Sequence, residues 1–384
     1  MRGFPKEEYQ ARVIRLQNKM QATNIDVTLI TSAHNFRYFT GLDSYFWESP
    51  TRPWFLLIPQ SQDPIAVIPS IGETALKKTW IKKINTWTSP QPEDEGISAL
   101  KESIKNLIKD KGNIGCEIGK ESQLRMSISD FDLLRKNLSN FNFVDISKII
   151  WGLRMIKSQG EIKKIKKIIS IASNVFDNLP NYLKIGMTEV EICNFFKQEL
   201  LKKGADYTLY MSCASGQGGY DQIICDPSEK KLKNGDVLII DTGTTLDGYF
   251  CDFDRNYGFG NIKKETNDAY AILWEAVEKA FEKAKPGFTC ADISNTMNSF
   301  LHKSNLSSNS VGRMGHGLGL QLTEPPSIMN NDRTILEKNM ILTIEPCYEY
   351  LPGKMLVIEE NILITENSFE LLTSRSPQIL PIIN

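Results

Sequence analysis

Four acidic residues sit in or at the ends of apolar, strand-like runs. Asp241 closes Val237-Leu-Ile-Ile, and Asp252 follows eleven residues on, at the end of Gly248-Tyr-Phe-Cys. Glu345 closes Met340-Ile-Leu-Thr-Ile, and Glu359 lies fourteen residues further, after Met355-Leu-Val-Ile. A carboxylate buried without a counter-charge loses several kcal/mol of solvation, so something must compensate all four. Arg255 and Lys354 are the basic residues these strands supply, and divalent cations answer the need more economically. His316, in Gly312-Arg-Met-Gly-His-Gly-Leu-Gly319, adds an imidazole on a glycine-rich segment that permits close backbone approach. Carboxylates with one imidazole suit Mn, Fe, Co or Zn rather than a thiolate-type site.

Two neighbours belong to the same chemistry. Asp254 is two residues from Asp252 and shares its strand face, which makes it a candidate for an acid/base role or for support of the ligands. Arg255 balances the carboxylate cluster. Glu360, next to Glu359, points by the same alternation to the opposite side.

The elements that must position these residues are legible as patterns. Val237–Asp241 and Gly248–Asp252 read as strands, joined by a tight turn at Leu246-Asp-Gly248 that suits a hairpin. Met340–Glu345 and Met355–Glu359 read as a second antiparallel pair. Helical periodicity covers 160–183, 264–285 and 291–303, with Pro286-Gly287 breaking the last two apart, and Thr188-Glu-Val-Glu191 is a capping box that opens another helix. The first 150 residues alternate instead: helix over 7–23, strands at 26–31, 54–58, 64–69 and 113–117, helix over 97–109. An aromatic-rich stretch, 35–53, lies between the first two of these strands and is too aromatic for a plain linker.

The bulk composition agrees with a two-domain globular chain. It has 384 residues, 41% hydrophobic and 24% charged, with a formal net charge of -1, which leaves no general attraction to nucleic acid or to an anionic membrane. No run approaches the ~18 apolar residues of a bilayer span, and the charged start is unlike a secretory leader. Seven scattered cysteines without a CxxC pair read as free thiols in a reducing, cytoplasmic setting.

The strings Ile239-Ile-Asp-Thr-Gly243, Gly248-Tyr-Phe-Cys-Asp-Phe-Asp-Arg-Asn256, Gly315-His-Gly-Leu-Gly319, Thr343-Ile-Glu-Pro-Cys347 and Val357-Ile-Glu-Glu-Asn361 resemble, in order and spacing, the five ligand motifs of the M24 superfamily of creatinase, aminopeptidase P, prolidase and methionine aminopeptidase. The N-terminal part is similar to that family's creatinase-type domain, so the resemblance spans nearly the whole chain. It implies an α+β architecture: a creatinase-type α/β domain over 1–155, then a pita-bread catalytic domain over 156–384. It implies two divalent metal ions, with Asp252 and Glu359 bridging them, Asp241 completing one site, and His316 and Glu345 holding the other. Water activated between the two ions would be the nucleophile. The implied activity is cleavage of Xaa-Pro peptides by a homodimer.

The chain departs from the peptidases at three places. Their additional histidines fall on Thr323, Ile224 and Gly312, and this chain has only His34, His302 and His316. Proton transfer by a positioned side chain is typically worth ~10²–10⁴-fold, so a small-molecule C–N hydrolase or lyase acting on a carboxylate-bearing osmolyte stands beside the peptidase reading. Glu324, next to the Thr323 position, is a further acid/base candidate. In this family the loop after the first strands reaches over the partner's active site. By that resemblance Arg52, with Trp47 and Trp54, is a candidate to receive a substrate carboxylate and wall the pocket; the alternative is that these residues only pack the interface.

Overall fold

The structure is a computed structural model and describes residues 2–303 and 312–384. The chain divides into two compact units, Met1–Arg154 and Met155–Asn384.

In the N-terminal unit the described strands β1 (Val27–Ile30), β2 (Phe55–Pro59), β3 (Ile65–Pro69), β4 (Lys83–Trp87), β5 (Gly112–Cys116) and β6 (Phe141–Asp145) form one mixed sheet in the order β4-β3-β2-β1-β5-β6. Continuous apolar runs such as Phe55–Ile58 become strands buried on both faces, because helices cover the sheet. Val27, Leu29, Phe55, Leu57 and Ile114 pack against Leu100 and Ile104 of the helix Ile97–Leu107. The aromatic stretch, where the resemblance implies a loop, is partly helical. Its first part is the helix Ala33–Thr40, closed by Gly41 in a left-handed conformation, and Tyr45–Glu48 is a 3-10 turn capped by Ser44.

The C-terminal unit has a four-stranded sheet of β7 (Tyr207–Gln217), β8 (Asp236–Leu246), β9 (Tyr249–Phe259) and β17 (Ile382–Ile383), in the order β17-β9-β8-β7. A second sheet holds β10 (His316–Gly317), β11 (Glu324–Ser327), β12 (Ile341–Ile344), β15 (Glu360–Ile364) and β16 (Phe369–Leu371). The hairpin β13 (Cys347–Leu351)–β14 (Lys354–Val357) completes the described strands. The helices Gln159–Asn178 and Glu189–Lys202 open with the reciprocal caps Ser158/Glu161 and Thr188/Glu191. The first of them stops at Asn178, short of its apolar pattern, and Leu179–Asn181 tightens into a 3-10 turn because Pro180 cannot continue the ladder. Lys264–Phe281 and Cys290–Lys303 pack through Leu273, Val277, Ile293 and Met297 onto the second sheet's Leu342, Ile344 and Ile362. Among the described residues no helix is long and apolar enough to cross a membrane, and all seven cysteines are free thiols.

One pairing differs from the sequence reading. Met355–Glu359 does not pair with Met340–Glu345. The apolar run from 354 is split: its first half, β14, pairs with β13, and its continuation, β15, pairs with β12, with Ile344 opposite Glu360. The break falls at Ile358-Glu359, opposite the break at Glu345-Pro346. Pro346 cannot donate to a ladder, so both strands change partner there and leave the two glutamates at a gap rather than inside a continuous sheet.

Candidate metal centre

The β8–β9 ribbon sets the first carboxylates by register. Across β7, β8 and β9, Tyr210, Gly243 and Asp252 form one row, and Ser212, Asp241 and Asp254 the next. Directly opposite residues of antiparallel strands project to the same side, so Asp241, Asp252 and Asp254 share a face. Gly243 keeps its row open: a Cβ there would stand 2.9 Å from Tyr210 Cβ and 2.3 Å from Leu322 Cδ1. Tyr210 stands on this face just past a bulge between Thr208 and Tyr210, and burial first, then the charges of Asp241 and Asp252, raise its phenol.

The second sheet brings the remaining candidate donors. His316 donates its backbone N–H to Thr343 Oγ1 at 3.2 Å, and its Nδ1 lies 2.9 Å from the carbonyl oxygen of Gly317. Burial, the dominant influence, lowers the His316 pKa, so the neutral ring donates from Nδ1 and leaves the Nε2 lone pair free, the state a metal requires. Nε2 lies 3.4 Å from Asp252 Oδ2 and 3.5 Å from Glu345 Oε1. Gly315 lets the chain pass this close, since a Cβ on it would sit 2.3 Å from Thr343 O.

Whether these residues fit divalent ions is tested by what they leave unsatisfied. Ligand atoms of Asp252, His316 and Glu359 all lie within 4.8 Å of one another. Asp241 Oδ1 and Glu359 Oε1 are buried without a hydrogen-bond partner. Desolvation first, then the neighbouring carboxylates, push Asp241 and Glu359 well above the usual carboxylate range. Asp252 is raised by desolvation against the opposing pull of Arg313. Glu345, similarly desolvated, is raised to about 7. Buried carboxylates that repel one another and lack donors are what cations would relieve. The donor set fits.

The residues around the cluster divide by what they touch. Arg255 gives Nη1 to the carbonyls of Asp254 (2.5 Å) and Glu359 (3.0 Å), and Nη2 to Glu360 Oε2 (3.1 Å) and to Ser374 O. Its donors therefore tie ligand backbones together. Burial would raise Glu360, but Arg255, Arg375, Thr373 and the Ser376 N–H hold it below the ordinary value. Glu324 is buried, accepts from Gln321 N at 3.1 Å and pairs with Lys157 Nζ at 3.5 Å, which fixes the turn after β10. Thr323 and Ile224 are exposed, Ile224 by 79%, and Gly312 is exposed with φ +83°.

In the N-terminal unit, Trp54 is buried over Gly72, while Trp47 and Arg52 are half-buried. Trp47 and Trp54 lie 5.8 Å apart, and the Arg125 guanidinium lies 4.9 Å above the Trp47 ring. The Arg52 guanidinium lies 5.7 Å from the Phe46 ring, its backbone N–H donates to Glu95, and its Nε has no partner.

Sequence reasoning missed three residues at the cluster. Tyr210 is one. Arg313, half-buried and three residues before His316, donates to Ser327 Oγ at 3.0 Å and acts on Asp252 and Glu345. Asn361 clasps Asp252, accepting its N–H at 3.2 Å and donating to its carbonyl. Arg313 and Asn361 lie within the two ligand motifs, Gly312–Gly319 and Val357–Asn361, and could have been found there.

An imidazole and acidic side chains gathered between two sheets of this topology define a pita-bread metallohydrolase. The chain belongs to metallopeptidase family M24: residues 163–366 match the model of that family, and residues 12–156 match the creatinase/prolidase N-terminal domain. An uncharacterized peptidase of Staphylococcus epidermidis is 29% identical over 370 residues, covering 94% of this chain and 98% of its own. The structure is similar to the X-Pro aminopeptidase of Thermotoga maritima, with TM-score 0.83, 27% identity and 97% and 99% of the two chains covered. It is likewise similar to the prolidase of Thermococcus sibiricus, with TM-score 0.87, 27% identity and 97% and 98% covered.

Proposed function

We propose that this metallopeptidase is an Xaa-Pro dipeptidase or aminopeptidase that works as a cytoplasmic homodimer with two divalent ions of the Mn, Fe, Co or Zn type. Asp241, Asp252, His316, Glu345 and Glu359 would hold them, and bound ions would activate water and polarise the scissile carbonyl. The observation that carries this reading is the cluster of raised carboxylates around a neutral His316, in which Asp241 Oδ1 and Glu359 Oε1 are buried without a partner. Full-length likeness to an X-Pro aminopeptidase and a prolidase supports the substrate class. The chain's own groups then have separate duties. Arg255 and Asn361 hold the ligand backbones, Glu324 and Lys157 hold the turn beside His316, and Tyr210 stands beside Asp241. Tyr210 and Arg313 are the polar side chains left to handle protons and developing charge at the cluster.

The test is direct. Metal-loaded protein is expected to cleave Xaa-Pro dipeptides or N-terminal Xaa-Pro bonds at ~1–10³ per second. One observation favours a second reading: Ile224, Thr323 and Gly312 stand where peptidases of this superfamily carry histidines. A small-molecule C–N hydrolase or lyase acting on a carboxylate-bearing osmolyte would leave Xaa-Pro peptides uncut and turn over N-acyl or cyclic amidine compounds. Thr323→His is the informative restoration, because a histidine at Gly312 would pay for a left-handed backbone. A gain in peptide cleavage for Thr323→His supports the peptidase; no gain, with osmolyte turnover intact, supports the second reading.

Arg52 is proposed to receive the substrate carboxylate in the partner's site, with Trp47 and Trp54 as the wall behind it. Its planar fork suits bidentate capture, which lysine cannot reproduce, and the partnerless Nε supports this role. Arg52→Lys is expected to raise KM more than it lowers kcat. Mixing Arg52→Ala with His316→Ala subunits should restore part of the wild-type activity. An unchanged KM in Arg52→Ala ends the assignment.

A further inference from the structure

Asp254 is not among the five candidate metal ligands. Its side chain is on the face of the β8–β9 ribbon that carries Asp241 and Asp252, directly across from Asp241 in the register. The residue is 1% exposed. One carboxylate oxygen is held: Asn256 Nδ2 donates to Oδ1 at 3.1 Å, and Asn256 is itself fixed by the Val357 carbonyl at 2.6 Å and the Tyr220 hydroxyl at 3.1 Å. The other oxygen, Oδ2, has no partner. The adjacent guanidinium does not serve it, because the Arg255 donors go to carbonyls of 254, 359 and 374 and to Glu360. Two other carboxylate oxygens share this condition, Asp241 Oδ1 and Glu359 Oε1, and both belong to the ligand set. A rigidly held carboxylate with one oxygen tied back and one left open, on the ligand face, is built as a donor rather than as packing.

We infer that Asp254 is a sixth protein donor group of the metal centre, supplying its free oxygen beside Asp241 and thereby setting which ion is retained. This rests on the metal-centre reading of the preceding subsection. The chemical consequence is selectivity. An additional hard oxygen raises the available coordination number and suits six-coordinate, oxygen-loving Mn(II), whereas Zn(II) is satisfied with fewer donors and gains less. The Irving–Williams order alone favours Zn(II) over Mn(II) at any such site, so Asp254 would narrow that gap.

Metal affinity, not turnover, is the readout. Full-length protein stripped with chelator is titrated calorimetrically with Mn(II) and, separately, with Zn(II), and retained Mn(II) is counted by electron paramagnetic resonance. Asp254→Asn is expected to weaken Mn(II) binding by ~10–100-fold and Zn(II) binding only a few-fold, with the melting temperature of the stripped protein unchanged or raised. Asp254→Ser, which shortens the side chain and removes the charge, should do the same and serves if the asparagine variant misfolds. His316→Ala is the control for the underlying reading. If His316→Ala abolishes tight binding while both Asp254 variants bind Mn(II) as the wild type does, this inference is overturned and the centre stands. If His316→Ala also leaves Mn(II) and Zn(II) binding intact, the metal-centre reading falls with it. Equal weakening of both metals assigns Asp254 to general electrostatics and overturns the selectivity.

Discussion

Asp241→Asn is expected to abolish hydrolysis while making the metal-stripped protein more stable than the wild type. The two effects have one origin. Asp241 stands beside Asp252 with its Oδ1 buried and without a partner, and desolvation pushes both carboxyl groups well above their ordinary range. Removing one ionisable member relieves repulsion that only cations otherwise offset, and the same substitution removes a ligand. His316→Ala should be equally inactive for want of the Nε2 donor. In both variants activity should drop by more than the ~10–100-fold typical of outer-shell partners, whereas Asn361→Ala, which loosens only the clasp on Asp252, should stay within that range. Chelation of the wild type should match the ligand variants, and added metal should restore the wild type alone. The checks are peptidase assays, elemental analysis and melting curves of stripped protein. Full activity in chelator, or a stripped Asp241→Asn that melts well below the stripped wild type, would remove the basis of the assignment.

The clustered carboxylates were legible because charge on an apolar run is a contradiction that sequence exposes without any coordinates. Asp241 and Asp252 also gained from the Leu246-Asp-Gly248 turn, where Asp247 takes φ +49° and Gly248 φ +77°, so alternation counted from the turn gives the correct faces. The same counting placed Asp254 with Asp252 and Glu360 away from Glu359. Tyr210 was hidden for the opposite reason: Tyr207–Gln217 carries no charged residue on an apolar run, so nothing in it marks a strand or a functional phenol. The break at Glu359 was hidden because Met355–Ile358 and Ile362–Ile364 are apolar on both sides of Glu359-Glu360-Asn361, so the run reads as one strand with carboxylates at its centre. Nothing local tells such a run to exchange β13 for β12. That choice is made by Pro346 and by the sheet on the far side, through contacts remote in sequence. Arg255 shows the limit most clearly. Its charge pointed to the carboxylate side chains, yet geometry spends its donors largely on carbonyl groups and on Glu360.

Stripped of metal, the protein should lose stability as the pH rises, opposite to the usual behaviour of paired surface carboxylates, and metal should erase the loss. Glu345 is raised to about 7 from an ordinary 4.5 by desolvation, and Asp241, Asp252 and Glu359 are raised in the same direction. A carboxyl group whose folded pKa lies above its unfolded value binds more protons when folded. Its contribution is therefore intact below the unfolded value and is lost as the pH climbs through the folded one. For Glu345 the window runs from about pH 4.5 to about 7, and a displacement of that size corresponds to roughly 3 kcal/mol. His316 works in the other direction, because burial lowers its pKa and its neutral form is the folded one; it costs stability on the acid side, one group against four. Bound cations would hold these carboxylates ionised, so the loaded protein should show little of this slope. The increase in melting temperature on adding metal should thus widen between pH 5.5 and 8, by on the order of 5–10 °C for a unit of this size. Scanning calorimetry of stripped and reloaded protein at the two pH values measures it. A metal-induced increase that is constant with pH, or larger at pH 5.5, would mean that the carboxylates are already ionised and paired without metal.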